Sequence, residues 1–179
     1  LSDLEMTWQQ VEGFAVAVGP GSYTGLRIGV AAAKAMAFAL GVPCAGISTL
    51  EGLAWQGMAH MGLICPVMTA RQTLVYAGIY RSSGTAVTCE QADGILEQQE
   101  LAQQLNALGE PVLLVGDGAE SVGNLLEQPR VLPVQQLQNG VGICLAAAAR
   151  GAWIPPEQLL PSYLQQVKAE KDLQERKAH

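Results

Sequence analysis

Histidine is scarce in this chain: there are two in 179 residues, His60 and the terminal His179. Metal-dependent hydrolase or transferase chemistry built on histidines clustered at helical spacing therefore has no residues to use. Charge is also sparse. Only 15% of residues are Asp, Glu, Lys or Arg, and the balance is acidic, with a formal net charge of -6. Independent, tight binding to nucleic acid draws on a basic surface that neutralises phosphate, so any RNA is expected to be held mainly by a partner. Glycine, proline or lysine interrupts each apolar run before it reaches the roughly 18 residues of a membrane span. The opening Leu1-Ser2-Asp3-Leu4-Glu5 has neither an initiator methionine nor the basic-then-apolar order of a secretory leader. A start partway into a longer cytoplasmic protein is the expectation. The four cysteines, Cys44, Cys65, Cys89 and Cys144, form no CxxC pair, and all but Cys89 sit between small or apolar neighbours. They are expected as reduced core residues.

What the chain does have is 49% hydrophobic residues, enough to bury a core as one domain or as two small lobes. Phe14-Ala15-Val16-Ala17-Val18 is a short apolar run stopped by Gly19-Pro20-Gly21, and an alanine-rich segment over 24–40 follows, closed by Gly41. The pattern predicts buried strand, glycine loop, helix. A strand through Ala45-Gly46-Ile47 then meets Ser48-Thr49-Leu50-Glu51, whose serine and glutamate have capping-box spacing, and a second helix is predicted to about His60. Segments 63–69, 74–80 and 86–89 are β-rich and separated by turns, which predicts three antiparallel strands. Beyond them the pattern alternates: helix 96–108, strand 112–115, helix 119–127, strand 131–134 and helix 141–150. Pro155-Pro156 and Pro161 break this order, and residues 165–179 are charge-rich, a solvated helix or loose tail.

Gly19-Pro20-Gly21-Ser22-Tyr23-Thr24-Gly25-Leu26-Arg27-Ile28-Gly29 lies at the first strand-to-helix junction. Free backbone N–H groups and the helix dipole there suit an anion, but from the spacing alone a tight turn with a Ser or Thr cap is the favoured reading. Taken as a whole, the string GPGSYTGLRIGVAAAKAMA followed by Gly46-Ile47-Ser48-Thr49-Leu50 resembles the TsaB (YeaZ) family. Ala70-Arg71 with Val75-Tyr76, Gly116-Asp117-Gly118-Ala119 and Pro161-Ser162-Tyr163-Leu164 resemble later motifs of that family. Two departures stand out: Thr69 where an aspartate is usual, and Gln165 where an arginine often follows the Pro-x-Tyr-Leu signature.

The resemblance implies an α/β chain with the actin-like ATPase (ASKHA, RNase H-like) fold. The family's opening strands have no counterpart before Leu1, so the N-terminal lobe is expected to be incomplete. The implied division is residues 1–60 for that lobe, 61–164 for a C-terminal lobe and 165–179 for the tail. The implied work is to bind and activate TsaD in threonylcarbamoyl transfer to the tRNA adenosine beside the anticodon, with TsaE in the wider complex and a homodimer when alone. No catalytic residue, metal or resident cofactor is expected, and ATP, if any, would sit at the complex interface.

The rival is a phosphate-binding ATPase or kinase of the actin-like clan, which would use Gly19, Gly21 and Ser22 with Gly116 and Gly118 as phosphate turns and would need carboxylates for Mg²⁺. The one glycine-framed acid is Asp117, which reads first as a helix cap. Lys34 reads as a snorkelling surface lysine among alanines. Gly25, Gly29, Ala32, Ala33 and Met36 fall at i, i+4, i+7, i+8 and i+11, a small-residue stripe that lets a partner helix come close. Burial on both sides within its own domain is the other reading of that stripe, and the family resemblance favours the interface. Arg27, near the positive end of the helix dipole, is expected to have an acidic or carbonyl partner, supplied by the absent opening strands or by the partner protein, with solvent exposure as the other reading.

Overall fold

Phe14–Gly19 forms β1, and its parallel partner β2 (Cys44–Ser48) is reached through the crossover helix α1 (Tyr23–Leu40). In the computed structural model, which describes residues 5–127, 130–131 and 137–164, these two strands make a sheet of their own. Ser22 caps α1 by accepting the Gly25 N–H at 3.3 Å, and Gly41 ends it in the left-handed region at φ 67°. The helix lays Leu26, Val30, Ala33 and Ala37 inward, and the last three pack with Phe14, Val16 and Val18 of β1. Among the described residues β1 pairs on one edge only, and five of its six residues remain half-buried.

Ser48 ends β2 and caps α2 (Thr49–Gln56), accepting N–H groups from Leu50 at 3.1 Å and Glu51 at 3.5 Å. Glu51 does not complete a capping box; its carboxylate takes Arg150 at 3.0 Å instead. The helix stops short of His60. Gly57 shares its N–H between the Leu53 and Ala54 carbonyls, and Met58 and His60 donate to the carbonyls three residues back, Trp55 at 3.2 Å and Gly57 at 2.9 Å, so the chain leaves the α-helix in tight turns; the Ser82 hydroxyl donates to the free Met58 carbonyl at 2.6 Å.

The second sheet has the order β5-β4-β3-β6-β7. The expected antiparallel meander is present as β3 (Gly62–Thr69), β4 (Leu74–Ser82) and β5 (Val87–Glu97). β5 runs eight residues past Cys89, because its ladder with β4 continues to the pair Leu74↔Glu97, and α3 accordingly begins late, as Gln98–Ala107. β6 (Val112–Val115) pairs parallel with β3, and β7 (Arg130–Val131) parallel with β6. Of the strand expected at 131–134, residues 132–134 lie outside the described residues, as does the tail at 165–179. Between these strands α4 is only Ala119–Gly123, and beyond Asn124 the Glu127 N–H goes to the Asn106 side chain at 3.2 Å rather than extending the helix.

α5 (Gly140–Arg150) is capped by Asn139 and brings the far end of the chain back onto the first sheet. Ile143, Ala146 and Ala147 pack with Ala45 and Ile47 of β2 and Trp55 of α2. α2 is thereby enclosed: Leu50, Leu53 and Ala54 face Ile64, Leu113 and Val115 of the second sheet, while Trp55 faces α5. The crossing of α2 and α5 is close enough that a Cβ on Gly142 would collide with the backbone carbonyl of Gly52, and one on Gly52 would strike the Ile143 side chain. After α5, Ile154 makes a two-way bridge with Cys44 at 2.9 and 2.8 Å, and Leu159 is buried beside Val30 and Ala33.

The cysteines divide. Cys44 and Cys65 are buried as expected, but Cys89 and Cys144 are exposed, one on the outer strand β5 and one on the outer side of α5. Burial pushes the Cys65 thiol up to about 12. A thiol-reactive dye is expected to label Cys144 and Cys89 in the native protein and to reach Cys44 and Cys65 only on unfolding; fast labelling of all four would contradict this packing. For the helix crossing, Gly142→Ala should destabilise by about 2 kcal/mol, because two backbones meet there. Gly140→Ala, which meets nothing within 4 Å, should be neutral or stabilising by up to about 1 kcal/mol. Denaturant melts of the two variants measure the difference.

Candidate functional site

The glycine loop and the Pro-x-Tyr-Leu signature, at opposite ends of the sequence, meet in space. The Ser162 N–H donates to the Val18 carbonyl at 2.7 Å, and a Cβ on Gly19 would run into the Ser162 carbonyl. Gly19, at φ 131°, is therefore required by conformation and by packing together. Tyr163 stacks on Tyr23 with ring centroids 5.2 Å apart. The Tyr23 hydroxyl accepts from Arg27 at 2.8 Å, and the guanidinium lies over the Tyr23 ring, 5.4 Å from its centroid. The partner of Arg27 within the described residues is thus a phenol, not the acid or carbonyl expected. Lys34 also departs from expectation: it is half-buried and donates to the carbonyls of Glu157 at 3.3 Å and Leu159 at 3.1 Å, tying the C-terminal segment to α1.

The outer side of α1 is apolar. Gly25, Ala32 and Met36 of the sequence-derived stripe are exposed and Gly29 is half-buried, but Ala33 is in the core beside Cys44 and Leu159. The helix phase explains the error, since Ala33 falls with Leu26, Val30 and Ala37. The outermost ridge is Ile28, Ala32, Ala35 and Ala39, again at i, i+4, i+7 and i+11, with Ile28 65% exposed. Phe38, 59% exposed, flanks it.

The proposed phosphate turns do not converge. A cavity of about 420 Å³ beside β1 includes Gly21, Ser22, Gly25, Thr49 and Gly140, but neither Gly116 nor Gly118. The Thr49 hydroxyl is buried without a partner among the described residues. Gly116 and Gly118 instead press against Val67 of β3, and the Gly118 N–H is spent on the Val67 carbonyl at 3.1 Å. Asp117 caps no helix. Its carboxylate accepts the Thr69 N–H at 3.0 Å, holding the end of β3, while Gly118 occupies the N-cap of α4. Among the described residues no three His, Cys, Asp or Glu side chains group as metal ligands.

Asp93 was not singled out by sequence. From β5 it accepts the Tyr80 hydroxyl at 2.6 Å and the hydroxyl of Ser48, so one carboxylate joins both sheets through the cap of α2. Burial, then the adjacent Asp93 charge, pushes the Tyr80 hydroxyl up. Burial also raises the Glu51 carboxyl, against the pull of Arg150. The available signal was Gly78, since a Cβ there would crowd the Asp93 carboxylate at 2.5 Å; a glycine inside a predicted strand marks close approach. Asp93→Ala should cost about 2 kcal/mol, because it leaves the buried Tyr80 hydroxyl unpaired, whereas Tyr80→Phe removes donor and demand together and should cost about 1 kcal/mol or less. Urea melts of both variants test the order of the two effects.

A family model described as TsaD, tRNA N6-adenosine threonylcarbamoyltransferase, matches residues 1–129, well over half of the chain. The chain belongs to this family, on its TsaB (YeaZ) branch. It is 38% identical over 116 residues to the tRNA threonylcarbamoyladenosine biosynthesis protein TsaB of Bacillus subtilis (strain 168), covering 65% of this chain and 51% of the relative. YeaZ from Pseudomonas aeruginosa superposes with a TM-score of 0.78 at 28% identity, covering 91% of this chain and 79% of that one. A second Pseudomonas aeruginosa structure, described as an uncharacterized protein with similarity to peptidase YEAZ, gives a TM-score of 0.79 at 27% identity, covering 92% and 78%. The actin-like α/β fold implied by the motifs is the fold of this family. The chain spans about half the length of the first of these relatives.

Proposed function

We propose that this protein is a non-catalytic subunit in the biosynthesis of threonylcarbamoyladenosine in tRNA, and that it binds and supports a TsaD-type transferase through the outer side of α1. The observation that carries this reading is the charge-poor ridge Ile28, Ala32, Ala35 and Ala39, exposed on a chain of the TsaB branch. Alanines along a ridge let a second helix approach closely, and the isoleucine adds apolar area to bury. The same face would pair with itself in a homodimer when the transferase is absent. In the complex, tRNA would be held by the partner, TsaE would join from outside, and any nucleotide would sit at the seam between subunits. The setting is the cytoplasm; among the described residues no helix is long and apolar enough to cross a membrane.

The kinase-like alternative loses support from the engagement of Asp117 with Thr69 and of Gly118 with Val67. Calorimetry and phosphate release with MgATP should show no turnover by the protein alone, and turnover abolished by Asp117→Ala would favour the alternative. The direct test is co-purification with the transferase of the same organism, followed by tRNA modification with and without this protein; modification that is the same in its absence would remove the proposal. Ala32→Leu should leave thermal melting intact and abolish assembly in gel filtration. Ala33→Leu, by contrast, overfills the core and should cost about 1–3 kcal/mol of stability.

A further inference from the structure

We propose that Arg27 is the polar anchor of the α1 face and receives a carboxylate of the partner protein. The inference rests on the reading of α1 as the partner-facing helix and adds to it the chemistry that the partner must present. α1 carries two cations, Arg27 and Lys34. Lys34 is committed to the carbonyls of Glu157 and Leu159. Arg27 gives one N–H to the Tyr23 hydroxyl, a neutral acceptor, and among the described residues the rest of its fork has no hydrogen-bond partner.

Three features fit a carboxylate better than solvent. The guanidinium lies on the Tyr23 ring, which the Tyr163 stack holds in turn, so its orientation is set before anything binds and little rotamer freedom remains to be lost. It is near the N-terminal end of α1, where the helix dipole disfavours a cation and an incoming anion would relieve that. It also adjoins exposed Ile28, so a partner helix seated on the ridge would exclude water from the pair and strengthen it. Arginine and tyrosine together are the residue types that carry binding energy at protein interfaces. An arginine beside stacked tyrosines also suits an RNA base or phosphate. A single uncommitted cation on an apolar helix of a chain with net charge -6 favours the protein carboxylate.

The test uses the purified protein, the TsaD-type transferase of the same organism and its tRNA. Arg27→Gln should weaken transferase binding about tenfold or more in calorimetry, with thermal melting unchanged because the side chain is exposed. Arg27→Lys, which keeps the charge without the fork, should recover only part of the loss. Added salt should weaken the unaltered protein more than Arg27→Gln. Equal affinity and equal salt dependence of the unaltered protein and Arg27→Gln, in a preparation where Ala32→Leu abolishes binding, would overturn this inference and leave the partner reading standing. No association of the unaltered protein would remove that reading and the anchor with it. Retention of tRNA by this protein alone, lost in Arg27→Gln while transferase binding is unchanged, would overturn the carboxylate in favour of an RNA platform.

Discussion

Two helix backbones come within touching distance where Gly52 of α2 passes Gly142 of α5, and the arrangement of the molecule follows from that crossing. A Cβ on Gly142 would run into the Gly52 carbonyl, so that position must be glycine for α5 to return and cover the first sheet, whereas a Cβ on Gly52 would first displace the end of the Ile143 side chain. Once it does, α2 is shut in between the two sheets. Its Leu50, Leu53 and Ala54 belong to one apolar cluster and its Trp55 to another. A helix buried on nearly all sides has no outer face left for recognition. Its polar needs are met internally in part, by the Ser48 cap and the Glu51–Arg150 pair, while the Thr49 hydroxyl and the Trp55 indole N–H are buried with no partner among the described residues.

Among the described residues, side-chain hydrogen bonds tie segments that lie far apart in sequence. Asp93 reaches across to Ser48 and Tyr80, and Lys34 holds two carbonyls of the returning C-terminal segment. These ties account for side chains that an enzyme reading would otherwise claim. A glycine-framed aspartate, a mid-helix lysine and two glycine turns each prove to be fastening backbone: Asp117 on β3, Lys34 on the segment after α5, Gly19 against Ser162 and Gly116 against Val67. The longest of the described helices, α1, keeps a broad apolar side with no such task among the described residues.

Local signals were read well where they were chemically unambiguous. The Ser22 and Ser48 caps and the Gly41 stop are where backbone chemistry puts them, and β6 begins and ends as its apolar run does. Errors came where a distant group ended or prolonged an element. β5 outlasts its β-rich stretch because β4 supplies a ladder as far as Leu74. α2 stops early where Gly57, Met58 and His60 switch to bonds three residues back, and the Met58 carbonyl left free there accepts the Ser82 hydroxyl of β4.

The sequence by itself determined the α/β class, the strand–loop–helix unit around the glycine string, the family resemblance and the apolar character of α1, because each is written in neighbouring residues through caps, periodicity or a contiguous motif. Tertiary structure alone decided which side of α1 is outermost and what its charged residues face. A shift of one residue on a helix turns a side chain by about 100°, so periodicity among alanines could not separate buried Ala33 from exposed Ala32. Nor could it foresee that Tyr163, 140 positions beyond Tyr23, would steady the ring on which Arg27 lies, since chain folding and not sequence proximity brings those groups together.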